Sequence, residues 1–564
     1  MHGRQILRAR VLHPSAGGWR LLLFLFLLLP NLAVILFCDE LTLAKRLGSL
    51  LIALYLWVLP ATLLQARTYF KWMGLFLLPA PIEIGCAVVN QTPLTLGVVS
   101  SFFNTTQAET VEFISLFSIF LPLVLAYWCG YFWLVRKRVE NHPLFTPLGK
   151  YLIWITFLCF NVGMWSRIYW ITSPVKQDHW GTLQETNDSF WKKYEGVYPY
   201  NISYFCYKIY ENDRKIRRMQ ASLGDFRFGA VSRDTLSQPK IFVLVIGESA
   251  RYDHFGINGY QRPTTPLLEQ TDHLYSFHNV LACANLTEFV LPFMLTRATL
   301  QHPDLQFEEK ALPDAFQEAG YFTAWIANQG DNYPFIQRIA QDADVSEFLT
   351  TAFNASDSQD EYLLPLLDEL LAHDARQKLI VIHTHGSHFQ YDMRYPAAFE
   401  HYKPNMNRQK RLDRSEAGLQ RLVNSYDNTI LYTDYILSQI IQRLEQQQAI
   451  SALVYLSDHA ESLYDLPARQ VLHGNTKPAV PELHIPLLVW LSDAYEQAYP
   501  EKVAQLRQQL DKRLSTTNLF DSFLDLANIH YPDEQLGQSF VSPLFHEDSV
   551  RYVLTPDQRI ITLK

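Results

Sequence analysis

Glu248, Asp458 and His459 are oxygen and imidazole donors of the kind that zinc or manganese takes. Glu248 lies in KIFVLVIGES, and the other two lie together in ALVYLSDH. Three protein ligands with a fourth position open describe a catalytic metal site rather than a structural one. A hydroxyl in that fourth position would have its pKa lowered, and a phosphoryl oxygen there would be polarised. Thr287, in CANLTEFV, stands near the start of an expected helix. Free backbone N–H groups and the positive end of the helix dipole would favour phosphate and alkoxide there. The plainer reading is that Thr287 caps the helix.

These residues close apolar runs. KIFVLVIGES, YFTAWIANQ, KLIVIHTHGSH, ALVYLSDH and HIPLLVWLS read as buried strands, with helical stretches between them such as EYLLPLLDELLAHD and residues 418–447. This alternation predicts an α/β domain with a largely parallel sheet. Chemistry then gathers beyond the carboxyl ends of the strands. Four runs end in phosphate-binding or metal-binding residue types: Gly247-Glu248-Ser249, Asn328-Gln329, His383 to His388, and Ser457-Asp458-His459. One such strand end is more often a cap or a hydrogen-bond partner. Four meeting at one sheet edge imply a site.

The first part of the chain differs in kind. A bilayer core of about 30 Å needs roughly 20 apolar residues of helix. Five spans are expected: Leu21–Cys38, Leu47–Leu64, Trp72–Val89, Ile114–Val135 and Tyr151–Ile171. Arg4, Arg8, Arg10 and Arg20 precede the first, and Arg136, Lys137, Arg138 and Lys150 lie between the last two. The loop between the third and fourth has no Lys or Arg. This bias puts the N-terminus in the cytoplasm and, after five crossings, everything beyond about Ser173 outside. Cytosolic nucleotides are absent there, so a transferase needs a donor from the membrane or the periplasm. Residues 173–238 mix Trp, Tyr and Lys, which suits the headgroup region of a membrane and equally an interdomain linker. The expected organisation is 1–172 transmembrane, 173–238 interfacial and 239–564 catalytic. Net charge is -8, which excludes a general nucleic-acid binder. Cys206 and Cys283 could pair in an oxidising compartment or remain two free thiols.

GESARYDHFGINGYQRPTTP, HTHGSHFQYDMRYP, SYDNTILYTDY and SDHAESL resemble the signature blocks of the Gram-negative phosphoethanolamine transferases. The resemblance covers nearly the whole chain. It implies a five-helix transmembrane domain joined to a periplasmic domain of the alkaline phosphatase/sulfatase fold, in the bacterial inner membrane. It implies zinc, one ion or two, held by Glu248, Thr287, Asp458 and His459. Thr287 is then the nucleophile as well as a ligand. His388 and His473 match residues that bind the transferred group or a second zinc. Asn328 falls among residues around the substrate phosphate, and Asn104 matches a headgroup contact in the donor-entry loop. The implied donor is phosphatidylethanolamine. The implied acceptor is lipid A, the lipopolysaccharide core or a periplasmic glucan; the scarcity of cysteine pairs favours the latter two. Ala460 stands where the family usually has glycine. A phosphoglycerol transferase or sulfatase of the same fold is the alternative, although ACANLTEF does not supply the sulfatase maturation motif C/S-x-P-x-R. A membrane sensor that binds without turnover would be expected to have lost one of the four site residues.

Overall fold

A computed structural model describes residues 16–38, 42–90, 92–104, 121–173, 179–330, 333–350, 359–407, 413, 415–465 and 470–563. The chain divides into two compact units, Met1–Thr95 with Phe117–Tyr207, and Leu96–Leu116 with Lys208–Lys564.

The first unit is helical. α1 (Ala16–Phe37), α2 (Leu43–Leu63) and, later, a helix at Pro147–Thr172 are long and apolar enough to cross a membrane. The expected third span is a pair, Ala66–Leu77 and Ala80–Val88, bent by 53°. Pro79 and Pro81 fall at the bend, where each removes a backbone donor. The start of the expected fourth span lies outside the described residues; the rest is the helix Leu121–Arg138. The described residues therefore give three single-helix spans and one bent pair, short of the five expected. Leu21, Leu25, Leu29, Leu152, Leu158 and Val162 point outward, as lipid-facing residues do. Several polar groups inside find partners: Tyr69 donates to the Trp57 carbonyl at 2.6 Å, Tyr131 to the Phe70 carbonyl at 2.7 Å, and Asn201 to Glu83 at 2.8 Å. Apolar surroundings offer no water to do this instead.

The helix α3 (Leu96–Asn104) groups with the second unit. That unit is built on seven strands: β1 (Lys240–Gly247), β2 (Leu274–Phe277), β3 (Phe322–Gly330), β4 (Val345–Thr350), β5 (Gln377–His383), β6 (Ile450–Ser457) and β7 (Leu487–Leu491). Their order in the sheet is β2-β7-β6-β1-β5-β3-β4. β1 runs parallel to β5 and β6, and β7 runs antiparallel to both its neighbours. Every residue of β1 is buried. Phe242, Leu244 and Ile246 enter the core on one face, and Ile241, Val243 and Val245 enter the core on the other. Alternation along a pleated strand feeds both faces, so the layers are α/β/α. The parallel strands end together at one edge, where the chain turns into the residues of chemical interest.

Cys206 is exposed and Cys283 buried, and both are free thiols.

Candidate metal and phosphoryl-transfer site

Glu248 follows the last residue of β1, and Asp458 and His459 follow β6 beside it. The two turns are tied together: Asp458 N–H donates to the Gly247 carbonyl at 3.0 Å, and Ser249 N–H donates to Asp458 Oδ1 at 3.1 Å. Ser249 has φ 56°, a left-handed conformation that turns its hydroxyl back onto Glu248 Oε1 at 2.7 Å. The β5 turn packs just as closely. A Cβ on Gly386, where φ is +50°, would lie 2.9 Å from the Glu248 carbonyl oxygen, so only glycine allows this approach.

One ligand atom from each of Glu248, Asp458 and His459 lies within 4.8 Å of the others, and all three residues are buried. Thr287 opens α4 (Thr287–Leu295), and the position before it, Leu286, has no side-chain oxygen with which to cap. Thr287 is therefore not the cap. Its Oγ1 lies 3.3 Å from Glu248 Oε2 and 3.3 Å from His459 Nε2. The His459 Nδ1 lies 3.0 Å from the Ala460 carbonyl. A proton on Nδ1 makes that bond and leaves the Nε2 lone pair facing Glu248, Asp458 and Thr287.

Burial, and then Asp458 beside it, push the Glu248 carboxyl well up. Burial raises Asp458 too, and burial holds His459 well below its usual range. Asp458 Oδ2 is buried and meets no hydrogen-bond donor among the described residues. Two buried carboxylates side by side with a neutral imidazole and one unanswered oxygen call for a cation. The set Glu, Asp, His and a hydroxyl fits zinc.

Three more histidines adjoin this cluster. The His473 ring is 4.1 Å from that of His459, His388 is 6.4 Å from His473, and His385 is 5.6 Å from His388. His473 is held through Nδ1 by Glu461 at 2.7 Å; despite burial, the carboxylate raises its pKa. Arg394 donates to the His388 carbonyl at 3.1 Å. Asn328 donates to Asp360 at 2.8 Å, and Asp360 accepts the N–H groups of His385 and Gly386. Its amide thus helps to build the histidine turn. Gln329, the next residue, reaches Glu248 Oε2 at 3.2 Å. Asn104 ends α3; its side chain lies outside the described residues.

Sequence reasoning placed Gln329 at a strand end without giving it a role, and did not single out Glu461. Glu461 stood in view inside SDHAESL. α3 was read only through its last residue, Asn104, as part of an expected donor-entry loop, and not as a helix packed near Thr287. It nevertheless flanks Thr287: Ser100 donates to Glu288 at 2.5 Å, and Gly97 N–H donates to the Pro556 carbonyl at 3.3 Å.

The sulfatase family model matches residues 240–529. The phosphoethanolamine transferase EptC of Escherichia coli is 25% identical over 99% of this chain and 96% of its own length. The crystal structure of the C-terminal periplasmic domain of that species' EptC in complex with Zn is 28% identical, covering 59% of this chain and 94% of that one, with a TM-score of 0.54. The integral membrane lipooligosaccharide phosphoethanolamine transferase A of Neisseria meningitidis shares the fold over 93% of this chain and 98% of that one, at 21% identity and a TM-score of 0.68.

Proposed function

Since the chain belongs to the sulfatase family, we propose that it is a zinc-dependent phosphoethanolamine transferase with Thr287 as its nucleophile. The observation that carries the reading is the Thr287 hydroxyl set 3.3 Å from both Glu248 and His459 at the start of a helix. Likeness to EptC over nearly the full length names the group transferred.

Glu248, Asp458, His459 and Thr287 hold the metal. When bound, zinc lowers the pKa of the threonine hydroxyl and neutralises charge on the phosphoryl oxygens. Thr287 Oγ1 attacks the phosphorus of phosphatidylethanolamine. The new Oγ1–P bond forms as the P–O bond to glycerol breaks, and diacylglycerol leaves as the alcohol after taking up a proton. An acceptor hydroxyl then attacks the same phosphorus; its O–P bond forms as the Oγ1–P bond breaks, and the proton it loses returns Thr287 to the hydroxyl. His388 and His473 face the transferred group or a second zinc, and the start of α4 offers free N–H groups to its oxygens. Asn328 supports the turn that carries His388, and Asn104 meets the donor headgroup.

The N-terminus lies in the cytoplasm of a Gram-negative cell and residues 239–564 in the periplasm. The apolar part, residues 1–172, anchors the chain in the membrane that supplies the lipid donor, and 173–238 is the interfacial segment. The acceptor is an envelope glycan: lipid A, the lipopolysaccharide core or a periplasmic glucan. The test is mass spectrometry of envelope glycolipids and glucans from cells carrying the wild type or Thr287→Ala. One acceptor is expected to gain a single phosphoethanolamine with the wild type and none with the variant. No gain with the wild type overturns the reading, and a gain with Thr287→Ala removes the threonine from it.

A further inference from the structure

Glu482 is wholly buried at the end of the short helix Val480–Leu483, behind the site. Its Oε2 accepts from Asn285 Nδ2 at 2.7 Å. Its Oε1 accepts from Asn475 Nδ2 at 2.7 Å and from Ser462 Oγ at 2.9 Å. The backbone adds to this, since Ala460 N–H donates to the Glu482 carbonyl at 2.9 Å. The three donors are themselves buried. Each belongs to a stretch that carries a site residue: Asn285 precedes Thr287 by two positions, Ser462 follows His459 by three, and Asn475 follows His473 by two. The first and third stretches are also joined directly. Gly474 N–H donates to the Asn285 carbonyl at 3.1 Å, and Asn285 Nδ2 donates to the Asn475 carbonyl at 3.0 Å.

The geometry points to Glu482 as the positioning residue that sets the nucleophile Thr287 against His459 and His473. It touches neither the metal ligands' side chains nor the reacting atoms. It fixes the three loops that carry them around one carboxylate. The inference rests on Thr287 being the nucleophile.

Both amides are fully committed as donors. Asn285 gives one hydrogen to Glu482 and one to the Asn475 carbonyl. Asn475 gives one to Glu482 and one, at 3.5 Å, to the Leu472 carbonyl. Neither can rotate its oxygen inward without setting it against a carbonyl. Glu482→Gln keeps the shape, yet its NH₂ must face one of these NH₂ groups whichever way it is turned. The misfit moves a loop, and catalysis is sensitive to displacements of an ångström or less.

The experiment uses the full-length protein in detergent, loaded with zinc, and a soluble aryl phosphodiester of ethanolamine. Wild type, Glu482→Gln and Thr287→Ala are compared by zinc content, thermal unfolding and the burst that reports phosphorylation of the threonine. Glu482→Gln is expected to keep one equivalent of zinc per site and an unchanged KM. Its burst rate should fall about 10- to 100-fold, the scale of a misplaced reacting group. A burst rate equal to wild type overturns the inference, as does a loss explained wholly by unfolded or zinc-free protein. A wild type that shows no more burst than Thr287→Ala overturns the proposed function instead. Glu482→Asp, one methylene short, should recover less than half the rate; full recovery also overturns the clamp.

Discussion

Buried carboxylates in this protein fall into two kinds. Glu248 and Asp458 lie side by side and leave an oxygen unanswered, which is the mark of a cation site. Asp434 is equally buried, but its oxygens accept the N–H groups of Leu267 at 3.1 Å and Leu268 at 2.8 Å, and it serves structure. Burial pushes Asp434 up to about 7; the neighbouring Glu269 adds to the rise and the two N–H groups oppose it. A raised carboxyl contributes stability in full below its unfolded pKa, near 4, and loses it as pH rises through about 7. Three pKa units set an upper limit of about 4 kcal/mol on the change. Asp434→Asn, which cannot titrate, should therefore gain on the wild type in thermal unfolding between pH 4.5 and pH 7.5. Parallel Tm profiles would show that Asp434 ionises normally. The first kind of carboxylate was legible in the sequence because Glu248 and Asp458 each end an apolar run. Glu482 was not: PAVPELH reads as a short proline-broken loop, and its partners Asn285, Ser462 and Asn475 are far from it in the chain or unremarkable beside it.

Elements show the same division. The strands were legible because β1, β5 and β6 are unbroken apolar runs of the right length, and the helix Glu416–Glu445 because its amphipathic pattern is long. The bent pair was not, because hydropathy counts apolar residues and Pro79 and Pro81 interrupt the helix without lowering that count. The packing of α3 was hidden for another reason: its close approach to Leu286 needs the absence of a side chain at Gly97. A Cβ on Gly97 would lie 2.2 Å from Leu286 Cδ1 and 3.3 Å from Pro556 Cβ. Leu286 is the residue before Thr287, so what displaces it moves the hydroxyl. Gly97→Val should cut transfer about 10-fold or more, with zinc content unchanged. Leu286→Ala added to it should restore part of the rate by making room. A double variant no better than the single one would show that α3 acts elsewhere than through Leu286.

At the scale of the whole molecule, the question is how much of the fold the metal sustains. The two cores on either face of the sheet contain none of the ligands, and β1 through β7 pair without them. This differs from small zinc domains, where binding and folding are one event. The ligand cluster sits at the sheet's edge, and its stretches are also joined by direct hydrogen bonds, such as Asp458 N–H to the Gly247 carbonyl. Removing zinc with a chelator should therefore abolish transfer while far-ultraviolet circular dichroism stays that of the folded protein. Tm should fall, because an ion that binds only the native state stabilises it by about 4 kcal/mol at a thousand times its dissociation constant. Added zinc should restore both activity and Tm. Metal loss should also cost less stability in acid than at neutral pH, since protons on Glu248 and Asp458 then relieve the repulsion that the cation otherwise cancels. If chelation unfolds the sheet, the metal is part of the core's architecture. If it leaves activity intact, the Glu248, Asp458 and His459 cluster is not where the chemistry occurs.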